Sequence, residues 1–364
     1  MRAIMARVAV VVPGILGSTL TYSDGFLVQQ ELWGKSFVTN YRHLIANASL
    51  LRWTGRPAEA AVLDYVLLSS KLPFLKRGVW LRTMAWLSAS RQFGRSDGVI
   101  TFPYDWRASL IDTAQRLARA LQGRAQNALD VPPAEDDARF VFIAHSMGGL
   151  VVRIAVGLKL LHPAWIDRIV HIGTPLRGSP AAFRTAFGRG DLPLLSELIE
   201  LVRGKHQETF FNNLRSAFQT FPSIYQLFPR EEDPFLYYSH LERSNPLREG
   251  VLGPEEIGYA REAHHALDRA DEIFGKEQTR IYLIFSDTHL LRRTELEYEV
   301  DIDHYGARYR IVHVHAASAS GDGTVPAYSA RSSAGHISRY PMISLDHAFM
   351  CNAPEVVALL QGIV

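Results

Sequence analysis

Short apolar runs alternate with helix-forming segments along most of the chain. Runs rich in β-branched and aromatic residues predict buried parallel strands, and apolar positions at helical spacing predict helices. The predicted strands are 8–12, 99–102, 140–143, 168–172, 281–285, 311–314 and 342–345, and the predicted helices are 79–91, 109–121, 150–161 and 354–360. This alternation indicates an α/β protein with a mostly parallel sheet and helices on both faces.

Two segments interrupt the alternation. Residues 20–78 are polar with interspersed aromatics and have no clear sheet period, and residues 180–279 carry many scattered Phe and Tyr side chains. We interpret the chain as one domain, residues 1–364, with an N-terminal cap insertion at 20–78 and a largely helical lid insertion at 180–279. The lid aromatics either line a groove for an apolar group or form the lid's own core, and the core is the simpler interpretation.

Composition excludes several classes of protein. With 364 residues, 47% of them hydrophobic, the chain is globular with a large core, and its net charge of +2 gives no electrostatic case for nucleic-acid binding. The single cysteine, Cys351, rules out an intramolecular disulfide. No apolar run has the length of a transmembrane helix.

The N-terminal apolar run, 8–12, is short and ends at Pro13. We interpret it as the first core strand; a signal peptide is the alternative. A cytoplasmic location follows from this interpretation. The helix at 79–91 has a basic face that would suit a membrane surface, but packing against the core with that face solvated is the interpretation we favour.

A strand, a sharp turn and a helix meet at residues 144–148, which read Ala-His-Ser-Met-Gly. This context is typical of a nucleophile elbow, in which a serine is exposed at the top of an α/β sheet. Ala144 replaces the first glycine of the usual G-x-S-x-G pattern, and Gly148 keeps the second. The motif predicts Ser146 as a nucleophile; an N-cap serine at an ordinary strand–helix junction is the alternative.

The loop after the first strand, residues 13–18, reads Pro-Gly-Ile-Leu-Gly-Ser. Glycines allow a backbone to approach closely, so Gly14 suits a loop lying beside the nucleophile. We predict the Ile15 N–H and the Met147 N–H as two oxyanion-hole donors. An ordinary tight turn is the other interpretation of this loop.

A nucleophilic serine needs a base, and the base needs an orienting carboxylate. In α/β-hydrolases these follow in the order serine, acid, histidine. Asp322 lies in a glycine-flanked loop and His347 lies before the last helix, which fits that order. Asp287, directly after a strand, is the alternative acid. The alternative bases are His336, His313 and His315, of which the last two lie within a predicted strand.

The histidine beside the nucleophile, His145, is expected to point elsewhere and to act as a supporting residue. No His-x-x-x-His pair or acidic cluster has metal-ligand spacing, so the sequence predicts no metal site and no cofactor.

Five blocks together resemble one family. They are Val-Pro-Gly-Ile-Leu-Gly at 12–17, Pro-Tyr-Asp-Trp-Arg at 103–107, Ala-His-Ser-Met-Gly at 144–148, Gly-Asp-Gly-Thr-Val at 321–325 and Asp-His at 346–347. In this order they are similar to the lecithin:cholesterol acyltransferase-like family, which includes lysosomal phospholipase A2 and phospholipid:diacylglycerol acyltransferases. The 103–107 block is the specific one, and it makes Asp105 a supporting residue. Leu-Trp-Gly at 32–34 also looks like a family feature.

The resemblance implies an α/β-hydrolase fold with cap and lid insertions, and it favours Asp322 over Asp287. It implies a serine O-acyltransferase or lipase that takes an acyl group from a phospholipid-like ester and passes it to an alcohol or to water. The expected partners are a lipid ester and, transiently, a membrane surface. A lid disulfide of secreted and lysosomal members has no counterpart here, which argues against an extracellular location. The alternatives are a soluble carboxylesterase acting on small esters and a catalytically inactive binding protein.

Overall fold

The fold comes from a computed structural model. It describes residues 7–23, 29–36, 48–67, 76–90, 93, 98–125, 127–135, 137–187, 207–233, 236–237, 243–244, 247, 252–287, 300–304, 307–311 and 320–364.

The strands in these ranges are β1 Arg7–Val12, β2 Ser18–Ser23, β3 Gln29–Trp33, β4 Glu59–Val62, β5 Tyr65–Leu67, β6 Lys76–Gly78, β7 Val99–Thr101, β8 Arg139–His145, β9 Ile166–Ile172, β10 Leu236–Tyr237, β11 Arg243–Ser244, β12 Arg280–Ser286, β13 Val300–His304, β14 Ala307–Ile311 and β15 His336–Met342. The α-helices are α1 Leu81–Ala89, α2 Leu110–Gln122, α3 Met147–Gly157, α4 Pro180–Phe187, α5 Gln207–Phe218, α6 Pro222–Gln226, α7 Pro254–Glu277, α8 Ala327–Ala330 and α9 Pro354–Ile363.

Six of these strands form the central sheet, in the order β15-β12-β9-β8-β1-β7. Every pairing in it is parallel. The elbow strand β8 lies in the interior, between β1 and β9, so both of its edges are hydrogen-bonded. Because the carboxyl ends of parallel strands share one edge of the sheet, the loops after β1, β8, β9, β12 and β15 gather there.

Side chains alternate between the two faces of β8, and each face has its own core. Phe140 and Phe142 belong to the core that contains the buried sides of α2, α3 and α7. Val141 and Ile143 belong to the opposite core, with residues of α1 and α9. The prediction of a parallel sheet with helices on both faces is therefore confirmed.

The last strand of the sheet differs from the sequence prediction. A strand was expected at 342–345, but β15 ends at Met342 and begins at His336. β15 pairs only with β12 and forms the edge of the sheet, so its side chains are exposed or half-buried. An edge strand has no continuous apolar run, which is the signal that identifies buried strands. Of the strand expected at 311–314, Ile311 is the last residue of β14 and the rest lies outside the described residues.

The expected cap insertion contains short strands that its polar sequence did not reveal. β2 pairs with β3 and β4, and β5 pairs with β6, all antiparallel. Such short strands have no extended buried face, so they lack a strong period in the sequence.

Aromatic side chains of the expected lid pack largely against one another. Phe183, Phe218, Phe221 and Phe228 are fully buried, with Phe218 and Phe221 ring centroids 5.0 Å apart. For these residues the structure agrees with the core interpretation. Helix α7 lies at the end of the expected lid range and packs on α3. Arg269 of α7 donates a hydrogen bond to the Gly157 carbonyl of α3. In the part of the chain that the structure describes, no helix is long and apolar enough to cross a membrane.

The Asp105–Arg107 ion pair lies in the interior, between the segment expected to form the cap and the loop after β7. Both side chains are fully buried, and the guanidinium donates to both carboxylate oxygens at 2.7 and 2.9 Å. Asp105 also accepts from the Ala58 N–H at 2.8 Å, and Arg107 donates to the Leu51 carbonyl at 3.1 Å. One buried pair therefore joins two cap segments to the loop after β7.

We expect Asp105→Asn to lower the free energy of unfolding by about 3–5 kcal/mol, because it leaves the Arg107 charge buried and uncompensated. The matched control is Asp64→Asn, which removes a half-exposed partner of Lys35 at 3.7 Å and should cost less than about 1 kcal/mol. Urea titration of both variants measures the difference. Equal losses of unfolding free energy in the two variants would mean that the buried pair does not hold these segments together.

Candidate active site

Ser146 occupies a strained position between β8 and α3. Its backbone has φ 51° and ψ −129°, a conformation that residues with a Cβ rarely adopt. Hydrogen bonds on both sides maintain it: the Ser146 N–H donates to the Ile172 carbonyl at 2.9 Å, and the Gly149 N–H donates to the Ser146 carbonyl at 3.0 Å. This is the sharp turn that presents a serine side chain at the carboxyl edge of a sheet.

Gly148 is required at this turn by close packing. A Cβ added to it would lie 2.5 Å from the Val12 carbonyl oxygen and would also overlap that of Pro13. Ala144 is the last but one residue of β8 and is fully buried in the sheet core, where its methyl group is accommodated. The second glycine of the motif is therefore a steric necessity here, whereas the first position tolerates a methyl group.

A chain of hydrogen bonds joins three of the predicted residues. The Ser146 Oγ and His347 Nε2 atoms are 2.8 Å apart, and His347 Nδ1 is 2.7 Å from Asp322 Oδ2. A carboxylate only accepts, so the Nδ1–H of His347 donates to Asp322 and Nε2 is left to accept the serine proton. All three side chains are buried, with 3–6% of each residue exposed.

Backbone groups orient the carboxylate and the imidazole. Asp322 Oδ1 accepts from the N–H groups of Thr324 and Val325, at 3.0 and 2.7 Å, which leaves Oδ2 for His347. The His347 N–H donates to the Asp322 carbonyl at 3.2 Å. The two loops are thus joined through both main chain and side chain.

The alternative acid and the described alternative base do not contact Ser146 or His347. Asp287 follows β12, but its carboxylate accepts a hydrogen bond from the Ser320 hydroxyl. His336 is the exposed first residue of β15, at the amino end of the strand and about 20 Å of strand from the carboxyl edge. His313 and His315 lie outside the described residues.

The predicted oxyanion loop packs directly against the serine. A Cβ on Gly14 would lie 2.6 Å from Ser146 Cβ and 3.2 Å from its Oγ. The Gly17 N–H donates to the Gly14 carbonyl at 3.1 Å, and Leu16 has φ 61°, as the third residue of a type II turn requires. Ile15 is thus the second residue of this turn. Met147 is the first residue of α3, where helix N–H groups have no intrahelical partner.

Aromatic side chains hold this loop in place. The Tyr104 hydroxyl donates to the Pro13 carbonyl at 2.8 Å, and burial raises its pKa, so it stays a donor. The indole N–H of Trp33 donates to the Leu16 carbonyl at 3.2 Å, and that of Trp106 to the Ser18 carbonyl at 3.0 Å. The Pro-Tyr-Asp-Trp-Arg block and the Leu-Trp-Gly block therefore support the loop, and Asp105 acts through its buried ion pair.

His145 contacts the candidate base rather than pointing away from the site. Its Nε2–H donates to the His347 carbonyl at 2.9 Å, and the two ring centroids are 4.9 Å apart. Burial, with His347 as the second cause, lowers the pKa of His145 to about 3, so the ring is neutral.

Gly173, which the sequence analysis did not single out, lies against the His347–Asp322 pair. It follows β9, has φ 58°, and a Cβ on it would be 3.1 Å from both Asp322 Oδ2 and His347 Nδ1. The available signal was a glycine directly after a predicted core strand, at the sheet edge where the other candidate residues also lie.

We expect Gly173→Ala to slow the reaction of Ser146 with a fluorophosphonate probe by about tenfold, because displacing the His347–Asp322 pair by a few tenths of an ångström impairs its geometry. Gly55→Ala is the matched control, since Gly55 has φ 77° with no atom within 4 Å of an added Cβ. Both variants should lose about 1 kcal/mol of stability through backbone strain. Equal labelling rates in the two variants would contradict a special role for Gly173.

Three solved structures are similar to this chain to different degrees. One chain of the Tle4–Tli4 complex aligns over 99% of this chain and 98% of its own length, with a TM-score of 0.57 and 13% identity. Lipase 1 from Pelosinus fermentans aligns over 99% and 98%, with a TM-score of 0.39 and 12% identity. The Bacillus licheniformis lipase BlEst2 aligns over 70% and 74%, with a TM-score of 0.30 and 12% identity. No curated protein matches the sequence.

A family model described as lecithin:cholesterol acyltransferase matches residues 62–249, just over half of the chain. The matched region includes the Pro-Tyr-Asp-Trp-Arg block, the elbow, and β9 with the loop that carries Gly173. The parallel sheet with an elbow serine at its carboxyl edge is the α/β-hydrolase fold, as the sequence predicted. The chain belongs to the lecithin:cholesterol acyltransferase family.

Proposed function

We propose that this protein is a serine-dependent lipid-ester acyltransferase or lipase, with Ser146 as nucleophile, His347 as base and Asp322 as the orienting acid. The observation that carries the proposal is the position of His347, whose two ring nitrogens lie 2.8 Å from Ser146 Oγ and 2.7 Å from Asp322 Oδ2. Membership of the lecithin:cholesterol acyltransferase family supports an ester as the substrate class.

In the first step Ser146 Oγ attacks the carbonyl carbon of the ester while its proton passes to His347 Nε2. The tetrahedral intermediate then breaks the bond to the leaving alcohol, which takes the proton back from Nε2. The products are an acyl-enzyme and a free alcohol. Asp322 retains its charge throughout and stabilises the imidazolium that forms between the two proton transfers.

Negative charge on the carbonyl oxygen of the intermediate needs preorganised donors. The N–H groups of Ile15 and Met147 are our candidates, because the Gly14 backbone lies in contact with Ser146 and Met147 begins the elbow helix. Gly14 and Gly148 serve the same hole by permitting that close approach.

The second step repeats the chemistry with another nucleophile. His347 Nε2 takes a proton from water or from an alcohol, whose oxygen attacks the acyl carbon, and Ser146 leaves with the returned proton. An alcohol acceptor is favoured if the site excludes water while an alcohol is bound, because excluding water slows hydrolysis of the intermediate. The lid insertion proposed at 180–279 would contribute to this exclusion, and no residue beyond the three is required.

A soluble carboxylesterase with the same three residues is the second candidate function. It is favoured by the limited surface apolarity: Leu81, Val131 and Ile343 are the exposed large hydrophobic residues in the described part of the chain. The two candidates differ in whether the enzyme prefers long-chain lipid esters over short soluble ones. A catalytically inactive binding protein is the alternative from another class, and it would not react with a fluorophosphonate.

Ser146→Ala should abolish fluorophosphonate labelling and reduce ester turnover by about 10⁶, because the residues of such a triad act as a unit. Asp322→Asn should cost on the order of 10⁴ in kcat through the wrong histidine tautomer. Asp287→Asn is the matched control and should cost far less, since its carboxylate binds Ser320. Activity that survives Ser146→Ala would refute the proposal, and the reverse order of the two aspartate effects would move the acid to Asp287.

We expect the acyl-enzyme to partition to an alcohol as well as to water, because a bound hydroxyl reacts at high effective molarity. The measurement supplies a phospholipid with a labelled acyl chain and a long-chain alcohol or a lysolipid, and compares free fatty acid with new ester. Normal turnover that yields free fatty acid alone, over a wide range of acceptors, would leave the lipase function and exclude transfer.

A further inference from the structure

His145 is the side chain that connects the nucleophile's strand to the loop carrying the base. It is the last residue of β8, directly before Ser146, and its Nε2–H donates to the main-chain carbonyl of His347 at 2.9 Å. The two residues are 202 positions apart in the chain. The ring is 6% exposed, so this hydrogen bond is shielded from water.

The strands that precede Ser146 and His347 are not paired with each other in the sheet. Ser146 follows β8 and His347 follows β15, and the strands β9 and β12 lie between them in the sheet. Any error in the packing of the intervening strands would therefore change the separation of the two side chains. The His145 bond spans that gap directly, because it joins the residue next to Ser146 to His347 itself.

The ring of His145 is held on its other sides as well. Trp80, which is fully buried, packs on the ring in a T-shaped arrangement, with centroids 6.2 Å apart and planes at 86°. The Nδ1 atom faces the oxyanion loop, since a Cβ on Gly14 would lie 3.2 Å from it. Because a carbonyl oxygen only accepts hydrogen bonds, Nε2 carries the proton of the neutral ring and Nδ1 is unprotonated. The hydrogen bond thus has a single possible direction.

Other contacts hold the rest of the His347 loop. Arg77 pairs with Asp346, the residue before His347, at 2.8 Å, and its guanidinium lies over the ring of Phe349. Thr83 Oγ1 donates to the Cys351 carbonyl, and the Arg82 N–H donates to Asn352 Oδ1 at 2.9 Å. These bonds join α1 to residues four and five positions after His347. Near His347 itself, the main chain is held by the N–H bond to the Asp322 carbonyl and by the carbonyl bond from His145.

We propose that His145 is a positioning residue that sets the approach of His347 Nε2 to Ser146 Oγ through its hydrogen bond to the His347 carbonyl. This inference rests on the proposed function, because it assumes that the Ser146–His347 pair performs catalysis. This role requires a hydrogen-bond donor at the position of Nε2. It does not require an aromatic ring.

Two substitutions separate the donor from the ring. His145→Phe keeps a flat ring against Trp80 without a donor, and His145→Gln supplies an N–H at nearly the same reach without the ring. His264 offers a matched control, since it is also buried and its Nε2–H donates to a carbonyl, that of Phe228, at 3.1 Å. Burial likewise lowers the pKa of His264, to about 4.

The measurements are kcat and KM on a soluble ester, the rate of labelling by a fluorophosphonate, and the urea midpoint. His145→Phe should lower kcat and the labelling rate about tenfold or more at unchanged KM, because a small displacement of the base is costly in the transition state. His145→Gln should stay within about threefold of the wild type. His264→Phe should shift the urea midpoint about as far as His145→Phe while leaving kcat unchanged.

Full activity in His145→Phe would overturn the inference, and so would equal losses in the Phe and Gln variants, which would indicate space filling alone. If His145→Phe does not fold, His145→Leu replaces it under the same criteria. Ser146→Ala, assayed in parallel, separates the two levels: full activity in Ser146→Ala defeats the proposed function, whereas an inactive Ser146→Ala with an active His145→Phe defeats only this inference.

Discussion

Close approach between the elbow and the loop after β1 is the constraint on which the site depends. Ser146 is held in a strained conformation that costs about 1–3 kcal/mol, and a Cβ on Gly148 would collide with the carbonyls of Val12 and Pro13. The strain persists because all of β1 pairs in register with β8 as far as Ala144, two residues before Ser146. Nucleophile and candidate oxyanion loop are thereby placed together by the interior of the sheet.

Around this contact, the residues that distinguish the family work as supports. Tyr104 and Trp106 hold the loop from 13 to 18 by its carbonyl groups, and the Asp105–Arg107 pair joins Ala58 and Leu51 to the same region. A neutral, buried hydroxyl is suited to this role because it donates one directed hydrogen bond without introducing charge. The Pro-Tyr-Asp-Trp-Arg block, the motif most specific to the family, thus supports the geometry of the loop and takes no part in a reaction step.

The candidate acid and the candidate base lie in loops, so the sheet core determines their positions less strictly than it determines that of Ser146. Asp322 follows a long connection after β12, and His347 follows the edge strand β15. Their placement depends on the hydrogen bonds that the Thr324 and Val325 N–H groups donate to Asp322 Oδ1. It also depends on Gly173, where an added Cβ would lie 3.1 Å from both side chains. Contacts of this kind, made by groups around the site, fix the positions of the Asp322 and His347 side chains although both lie in loops.

Local patterns in the sequence were sufficient for the buried strands, the helices that cover them and the serine at the elbow. A buried parallel strand is a continuous apolar run, and a strand–turn–helix junction is encoded within about ten residues, so both can be recognised without tertiary information. The order of serine, acid and histidine then narrowed the candidates. The edge strand β15 and the short strands of the cap escaped recognition, because neither has an extended buried face.

Only the tertiary structure showed which carboxylate lies beside His347 and which other groups surround Ser146 and His347. Asp287 and Asp322 both lie between β12 and β15 along the chain. Sequence position favoured Asp322 and the family resemblance supported it, but neither gives the distance from either carboxylate to His347. The bond from His347 to Ser146 joins residues 201 positions apart, and the contacts of Gly173 and His145 are similarly non-local. Periodicity and motif spacing describe neighbours along the chain, whereas these contacts arise because folding brings the carboxyl ends of separate strands to one edge of the sheet.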